Sequence, residues 1–260
     1  MISVYYCSNI FKQKPKMKTL FTLLTVVFLM SCASQKNFPE TVETIKTIPE
    51  MINTRLELDL TIGKFHNHPS FAIWVEDLDG NYVETLYVTQ YFAKGVFGHG
   101  EAEKGKWKNE PGEVRRPAAL PYWSHKQNIK AKDDLFAPTP ETAVPDALTG
   151  ATPKGNFILD TGSKMEVNKK FKVLFEVNQA WDSNDYWSNS KFPDDLDYKT
   201  SLQPALVYET TIEPESMKTE YNFIAVGHSE PSGKTGDLFT DLTSITTAKE
   251  IFSKILVRIK

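Results

Sequence analysis

A short polar segment joins a proline-rich loop to a predicted strand and carries the residue types best suited to chemistry. It reads Asp-Ala-Leu-Thr-Gly-Ala-Thr from Asp146 to Thr152, and Pro153 follows it. The proline biases the backbone of Thr152 toward an extended conformation, and Gly150 permits a positive φ or the close approach of another group. The segment therefore predicts an exposed turn that presents a hydroxyl to a modifying enzyme.

The same seven residues resemble the flavinylation motif Asp-x-x-(Ser/Thr)-Gly-Ala-Thr. In proteins that carry this motif, an ApbE-type flavin transferase joins FMN through its phosphate to the last threonine. The resemblance makes Thr152 the acceptor and Asp146 the motif acid, with Thr149, Gly150 and Ala151 between them. The alternative is an ordinary β-turn, in which Asp, Thr, Gly and Pro are expected for their backbone properties.

The N-terminus has the pattern of a lipoprotein signal peptide over residues 1–31. Lysines precede an apolar run over residues 20–30, which is shorter than the roughly 20 residues needed to span a bilayer. Leu29-Met30-Ser31-Cys32 resembles a bacterial lipobox, whose cysteine becomes the lipidated first residue of the mature protein. We therefore expect lipidation of Cys32 and a location in the cell envelope, at the periplasmic face of the outer membrane.

Residues 32–52 are polar and contain two prolines, Pro39 and Pro49, so they are expected to form a tether between lipid and domain. The chain has two cysteines, and only Cys32 remains after cleavage. A disulfide is therefore not expected, and the domain must be stabilised by its core. The formal net charge of −3 gives no signature of nucleic-acid binding.

From Asn53 onward, apolar and polar residues alternate with a period of two, which is typical of half-buried strands. No long amphipathic helix separates them, which favours an all-β fold, an antiparallel immunoglobulin-like β-sandwich over residues 53–260. About eight strands are predicted, at residues 56–62, 71–76, 82–88, 156–159, 171–177, 205–212, 221–226 and 255–259. The expected core residues are Leu58, Leu60, Ile73, Val75, Val173, Phe175, Leu206, Ile224 and Val257.

Two long aromatic-rich loops interrupt the strands, at residues 95–152 and 178–203. Loops of this length are uncommon in compact domains and are usually functional or disordered, and aromatic residues argue against disorder. Aromatic rings in a polar loop can stack on a flat ligand such as a flavin or a sugar. Trp123, Trp181 and Trp187 are therefore the expected walls around FMN, unless they pack against the end of the sandwich.

Segments spread over residues 55–260 resemble predicted periplasmic proteins of a domain-of-unknown-function family. Members are often encoded beside membrane PepSY proteins and ApbE-type flavin transferases. The resemblance implies these two as partners and a role near periplasmic flavin and electron transfer. The segments that carry it are Trp74-Val75-Glu76-Asp77 with Gly80 and Thr85-Leu86, Leu120-Pro121-Tyr122-Trp123, Asp146–Thr152, Phe175-Glu176-Val177-Asn178, and Gly227-His228 ahead of Thr246-Thr247-Ala248.

Other clusters indicate little chemistry. His66 and His68 flank one asparagine, but no cysteine or telling acid accompanies them, so a polar turn is favoured over a metal site. The sequence contains no Gly-x-Ser-x-Gly elbow and no spacing that assembles a Ser-His-Asp triad. The sequence therefore favours a protein that is not an enzyme on its own over an enzyme.

Three functions remain open from the sequence. The first is a lipid-anchored periplasmic protein of flavin or electron transfer, with covalent FMN on Thr152. The second is a non-catalytic β-sandwich binding or accessory lipoprotein of a membrane complex, in which the seven residues are only a turn. The third is a hydrolase or glycan-binding module that uses the loop aromatics. Flavin absorbance of the purified protein separates the first from the others.

Overall fold

The computed structural model describes residues 42–47, 49–216 and 218–260. The predicted signal peptide and Cys32 lie outside this part of the chain. Residues 40–260 form one compact unit. No helix among the described residues is long and apolar enough to cross a membrane.

The described part of the chain is predominantly β. Its two short α-helices are α1 (Gln90–Lys94) and α2 (Pro121–Gln127), and single 3-10 turns are found elsewhere, including Asp146–Leu148 and Thr247–Glu250. Its strands are β1 (Glu43–Lys46), β2 (Thr54–Ile62), β3 (Ser70–Glu76), β4 (Tyr82–Thr89), β5 (Val96–Phe97), β6 (Glu101–Glu103), β7 (Lys106–Trp107), β8 (Gly112–Glu113), β9 (Thr149–Gly150), β10 (Phe157–Ser163), β11 (Phe171–Asn178), β12 (Leu206–Ile212), β13 (Glu220–Asn222), β14 (Ile224–Ser229), β15 (Leu238–Phe239) and β16 (Phe252–Ile259).

Two large sheets contain most of these strands. The five-stranded sheet has the order β1-β10-β2-β16-β13, and the seven-stranded sheet has the order β15-β14-β12-β11-β3-β4-β9. Most neighbours are antiparallel, but β1 pairs with β10 and β4 pairs with β9 in parallel. The sheets are therefore mixed, and the expectation of purely antiparallel pairing was wrong at these two outer pairs.

Strand β1 was not expected, because residues 43–46 lie within the predicted tether. It pairs with β10 over four residue positions, from Glu43 opposite Phe157 to Lys46 opposite Asp160. Ile45 packs against the main core from this edge. The predicted tether therefore contributes a strand to the domain. The sequence did not predict this strand, because Ile45 is its one inward apolar residue and the residues around it are polar.

The main hydrophobic core takes side chains from both large sheets. Leu58 of β2 and Ile73 of β3 are fully buried in it. Phe175 of β11 meets Phe252 of β16 edge-on, with ring centroids 5.3 Å apart. Burying one such ring is worth roughly 1.5–3 kcal/mol relative to exposure. The alternating pattern thus predicted the inward-facing residues of β2, β3 and β11 correctly.

Ile224 is a correction to the expected core, because its side chain is 67% exposed. Residues 221–226 were predicted as one strand. They instead form β13 in the five-stranded sheet and β14 in the seven-stranded sheet, on either side of Phe223. The change of sheet resets which side chains face inward, so the alternation of β13 cannot be continued into β14 to place Ile224.

A second core covers the other face of the seven-stranded sheet. Trp74 of β3 and Leu174 of β11 pack there against Phe92 of α1 and Trp123 of α2. Because both of its faces are covered, β3 is buried at six consecutive positions, as expected for a strand inside a layered structure. Part of the region 95–152, predicted as a long aromatic-rich loop, therefore lies over a sheet face.

Candidate functional site

The segment from Asp146 to Thr152 lies at one edge of the seven-stranded sheet. Asp146–Leu148 forms a 3-10 turn, and Thr149–Gly150 forms the edge strand β9. Thr149 and Gly150 pair with Val88 and Thr89 of β4. The predicted turn is thus held by backbone pairing to a buried strand, while its Asp146 and Ala151 remain exposed.

Gly150 allows the segment to approach the side chain of Tyr87. A Cβ atom added at Gly150 would lie 2.8 Å from the Tyr87 hydroxyl oxygen. That hydroxyl donates to the carbonyl oxygen of Ala151 at 3.0 Å. Tyr87 is buried, and burial raises the pKa of its hydroxyl, which keeps it protonated as a donor. Close approach, rather than a positive φ, explains the glycine.

The Thr152 hydroxyl already has a partner within the protein. Its Oγ1 donates to the carbonyl oxygen of Pro69 at 3.2 Å, and the residue is half-buried. Pro153 behind it is buried, which fixes the end of the segment against the domain. An ester at Oγ1 removes the donated proton, so modification requires the Pro69 carbonyl to find another donor.

The carboxylate of Asp146 faces solvent. Its side chain is 77% exposed, and one oxygen lies 2.8 Å from Lys94 Nζ at the end of α1. An ion pair this exposed adds little to stability. The Thr149 hydroxyl donates to the backbone carbonyl of Asp146 at 3.3 Å, which leaves the carboxylate unconstrained by the segment itself. The acid is therefore accessible to an approaching protein.

A groove borders the first half of the segment. It has a volume of about 620 Å³, and Ala147 and Leu148 form part of its wall with Tyr82, Thr85 and Lys164. Ligand sites commonly have volumes of about 300–1,000 Å³. Thr152 is not among its lining residues. The groove offers space beside the 3-10 turn, with both apolar and polar walls.

The predicted tryptophan walls require correction. Trp123 is fully buried in the second core, where its Nε1 donates to Thr85 Oγ1 at 2.9 Å. Trp187 is 5% exposed in the main core, and its Nε1 donates to Ser244 Oγ at 3.1 Å. Both rings are interior packing residues and offer no free face to a ligand, which is the alternative considered from the sequence.

Trp181 is the one predicted wall with a free face. Its side chain is 63% exposed. It lines a different pocket, and none of the residues from Asp146 to Thr152 shares that pocket. The structure therefore does not bring the three tryptophans together around the segment.

A buried carboxylate was missed by sequence reasoning. Glu176 on β11 is fully buried and accepts the backbone N–H groups of Tyr122 at 3.1 Å and Trp123 at 2.7 Å. Burial raises its pKa to about 8 despite these donors. It holds the first turn of α2 to the sheet. The available signal was an acid between the apolar residues Phe175 and Val177, in the strand predicted at residues 171–177.

A second buried acid, Glu76 on β3, also contacts α2. It is 2% exposed, accepts from Trp74 Nε1 at 2.9 Å and lies 3.3 Å from Lys126 Nζ. The two acids attach both ends of α2 to the sheet, through Tyr122 and Lys126. These contacts account for the burial of both acids, so we assign Glu76 and Glu176 a structural role.

Metal binding finds no support in the part of the chain that the structure describes. No group of three or more His, Cys, Asp or Glu side chains there is arranged to hold an ion. The ring of His66 instead packs edge-on against Phe252, with centroids 5.3 Å apart. Burial lowers the pKa of His66.

Comparison with protein-family models, curated proteins and solved structures finds no match to this chain.

Proposed function

We propose that this protein is a lipid-anchored envelope protein of flavin or electron transfer, and that FMN is attached through its phosphate to Thr152. The observation that carries the proposal is the complete seven-residue match in an accessible edge segment. Asp146 is 77% exposed in that segment, and Thr152 is half-buried. A transferase can reach such an edge without unfolding the domain.

The proposed attachment is a phosphoester. The Thr152 oxygen forms a bond to the FMN phosphorus, the phosphoanhydride of a flavin dinucleotide breaks, a nucleoside monophosphate leaves and the hydroxyl proton passes to solvent. When bound, FMN supplies redox chemistry, whereas the protein supplies position and environment. Tyr87 supports this role because its hydroxyl fixes the carbonyl of Ala151, next to the acceptor.

We also propose that the two large sheets form an immunoglobulin-like β-sandwich, located at the periplasmic face of the outer membrane. A flavin transferase and a membrane PepSY-type protein are the proposed partners, through the resemblance described from the sequence. The main core formed by both sheets supports the sandwich. The pattern of residues 1–32 supports the envelope location.

The test is co-expression with a flavin transferase, followed by intact-mass analysis. We expect wild type to gain one FMN, Thr152→Ala to gain none and Thr152→Ser to retain part of the modification. Asp146→Ala should lower the modified fraction. Lys94→Ala is the matched control, because it breaks the same ion pair but keeps the carboxylate.

Comparing Asp146→Ala with Lys94→Ala distinguishes recognition of the Asp146 carboxylate by the transferase from an effect of losing the ion pair. If the transferase recognises the carboxylate, Lys94→Ala is modified as fully as wild type. Absence of FMN from wild type, while a known acceptor protein is modified in parallel, would reject attachment.

The second proposed function is a non-catalytic binding or accessory lipoprotein. The contact between Gly150 and Tyr87 favours it, because packing alone explains the glycine. The interior position of Trp123 and Trp187 also favours it, because neither can shield a flavin. In that case the purified protein lacks flavin absorbance even when a transferase is present.

A further inference from the structure

A second pocket combines three aromatic side chains with one arginine. It has a volume of about 460 Å³, and its walls include Phe97, Trp107, Trp181, His99 and Arg116. This volume is within the range of small-molecule sites. The pocket shares no residue with the segment from Asp146 to Thr152, so what it binds is independent of whether Thr152 is modified.

Arg116 differs from the other three arginines of the chain. Arg55, Arg115 and Arg258 each pair with a carboxylate, at 2.9, 2.6 and 2.7 Å respectively. Among the described residues, Arg116 has no acidic partner within ion-pair distance. Its Nη2 donates to the carbonyl oxygen of Thr200 at 2.9 Å, and its Nε is buried without a partner. The guanidinium therefore keeps unused donors and an unbalanced charge.

The guanidinium of Arg116 lies beside an aromatic ring, and no acidic side chain within the described ranges of the chain balances its charge. Its guanidinium carbon lies 5.1 Å from the centroid of the Phe97 ring. Burial lowers the pKa of Arg116 to about 10, so the group remains protonated at neutral pH. Arg116 is half-buried, and its buried Nε has no partner in the described chain. A partly desolvated cation is unfavourable unless an opposite charge accompanies it. An anionic ligand group would supply that charge and use the free N–H donors.

Two tryptophans give the pocket exposed aromatic faces. Trp107 is 42% exposed and Trp181 is 63% exposed, and their ring planes are nearly perpendicular at 81°, with centroids 6.4 Å apart. Trp181 has a φ of 56°, a conformation that is unfavourable for a side chain of this size. Strained backbone is concentrated at ligand-binding sites, and exposed indole faces can stack on a ring.

His99 adds a hydrogen-bond acceptor. Its Nδ1 lies 3.1 Å from the carbonyl oxygen of Lys108. Since a carbonyl only accepts, Nδ1 carries the proton, and Nε2 of the neutral ring is an acceptor for a hydroxyl. The pocket walls contain no lysine. One fixed cation matches the single charge of a carboxylate better than the double charge of a phosphate.

We propose that this pocket binds a small ring compound that carries one carboxylate and at least one hydroxyl. Arg116 holds the carboxylate, and His99 accepts from the hydroxyl. Trp181 stacks on a face of the ring, and Trp107 contacts its edge. Sugar acids and hydroxylated aromatic acids share this chemistry.

The test is titration of the purified protein with galacturonate and 4-hydroxybenzoate, followed by tryptophan fluorescence and calorimetry. Galactose and 4-hydroxybenzyl alcohol are the neutral comparators. We expect at least one acid to bind about tenfold more tightly than its comparator, because a charged donor–acceptor pair is the stronger interaction. The acid that binds identifies the ligand class. Equal affinity of acid and comparator, or no saturation by either acid up to about 20 mM, overturns the proposal.

Variants test the assigned residues. Arg116→Gln should weaken binding of the acid by about tenfold, while its melting temperature stays equal to or above that of wild type because the unbalanced charge is gone. Trp181→Ala should weaken binding by about fivefold. Tyr186→Ala is the matched control, since its ring is 56% exposed in the same loop but outside the pocket, and its affinity should be unchanged.

Wild-type affinity in a folded Arg116→Gln variant overturns the proposal. If that variant does not fold, the decision rests on Trp181→Ala and the neutral comparators. Undiminished binding by Trp181→Ala, or loss of binding by Tyr186→Ala alone, also contradicts the assigned pocket.

Discussion

At Gly150 the backbone approaches the buried Tyr87 ring more closely than a side chain would permit. A Cβ there would lie 2.8 Å from the hydroxyl oxygen and 3.2 Å from the nearest ring carbon. The ring is fully buried and has little freedom to move away. One residue of the seven-residue match therefore has a packing role that is independent of any flavin.

Gly150→Ala should destabilise the domain by about 1–3 kcal/mol, the usual cost of overpacking, measured by denaturant unfolding. Gly155→Ala is the control, because a Cβ there meets no heavy atom within 4 Å. In a Tyr87→Phe background, which lacks the nearest oxygen, Gly150→Ala should cost less. Equal losses at both glycines, or the same loss in both backgrounds, would show that the close approach is unimportant.

The candidate segment shows how far residue-level reasoning from the sequence reaches. The positions of Asp146 and Ala151 at the surface agree with the predicted turn. The contact of Gly150 with the Tyr87 side chain was not predictable. These residues are 63 positions apart in the sequence and are brought together by the pairing of β9 with β4. Trp123 and Trp187 were misjudged because an aromatic residue in a polar stretch gives no indication of which side faces a core.

At the level of elements, Glu176 holds α2 against β11. Its two oxygens accept the backbone N–H groups of Tyr122 and Trp123, at the end of the helix where unpaired donors occur. The carboxyl pKa is raised to about 8 by burial, against about 4.3 in an unfolded chain. Between about pH 4 and pH 8, Glu176 is therefore protonated in the folded protein and ionised in the unfolded chain.

This difference predicts a pH dependence of stability. Because the folded-state pKa is raised, the contribution of Glu176 is fully present below about pH 4 and is lost as the pH rises toward about 8. Glu176→Gln cannot ionise, so its free energy of unfolding should fall less than that of wild type between pH 5 and 8. Denaturant unfolding at several pH values measures both slopes.

Glu110→Gln is the matched control, since Glu110 is exposed and its slope should equal that of wild type. At about pH 5, Glu176→Gln should be less stable than wild type by about 1–3 kcal/mol, because one backbone donor is left unsatisfied. This difference should shrink as the pH rises toward about 8. Parallel pH profiles for wild type and Glu176→Gln would mean that Glu176 is ionised in the folded state.

The strands themselves were largely predictable and their partners were not. Periodicity identified β2, β3, β4 and β11 to within a residue or two, since alternation records which side chains face inward. It failed between β13 and β14, where the chain changes sheet at Phe223. It also missed the helical cover of the second core, because α2 has only seven residues and no long apolar period.

At the scale of the whole molecule, Cys32 is expected to decide where the protein resides. Cys32→Ser removes the sulfur that would carry lipid, so we expect soluble or unprocessed protein in place of a membrane-bound form. A second acyl chain normally makes such anchoring stable. Cell fractionation with lipid labelling measures the change, and Cys7→Ser, the other cysteine of the chain, is the control. Lipid-labelled Cys32→Ser protein in the membrane fraction would disprove the assignment.

Strand β1 also limits the distance between the proposed anchor and the domain. If residues 32–52 were all free, 21 residues could reach about 70 Å from the bilayer. Pairing of Glu43 opposite Phe157 ends the free chain at β1, so the link from Cys32 reaches about 40 Å at most. If the anchor forms, the domain could then meet only the membrane-proximal part of a partner that extends farther from the bilayer. Releasing four backbone-paired residues would nearly double the radius over which this protein can search for such a partner.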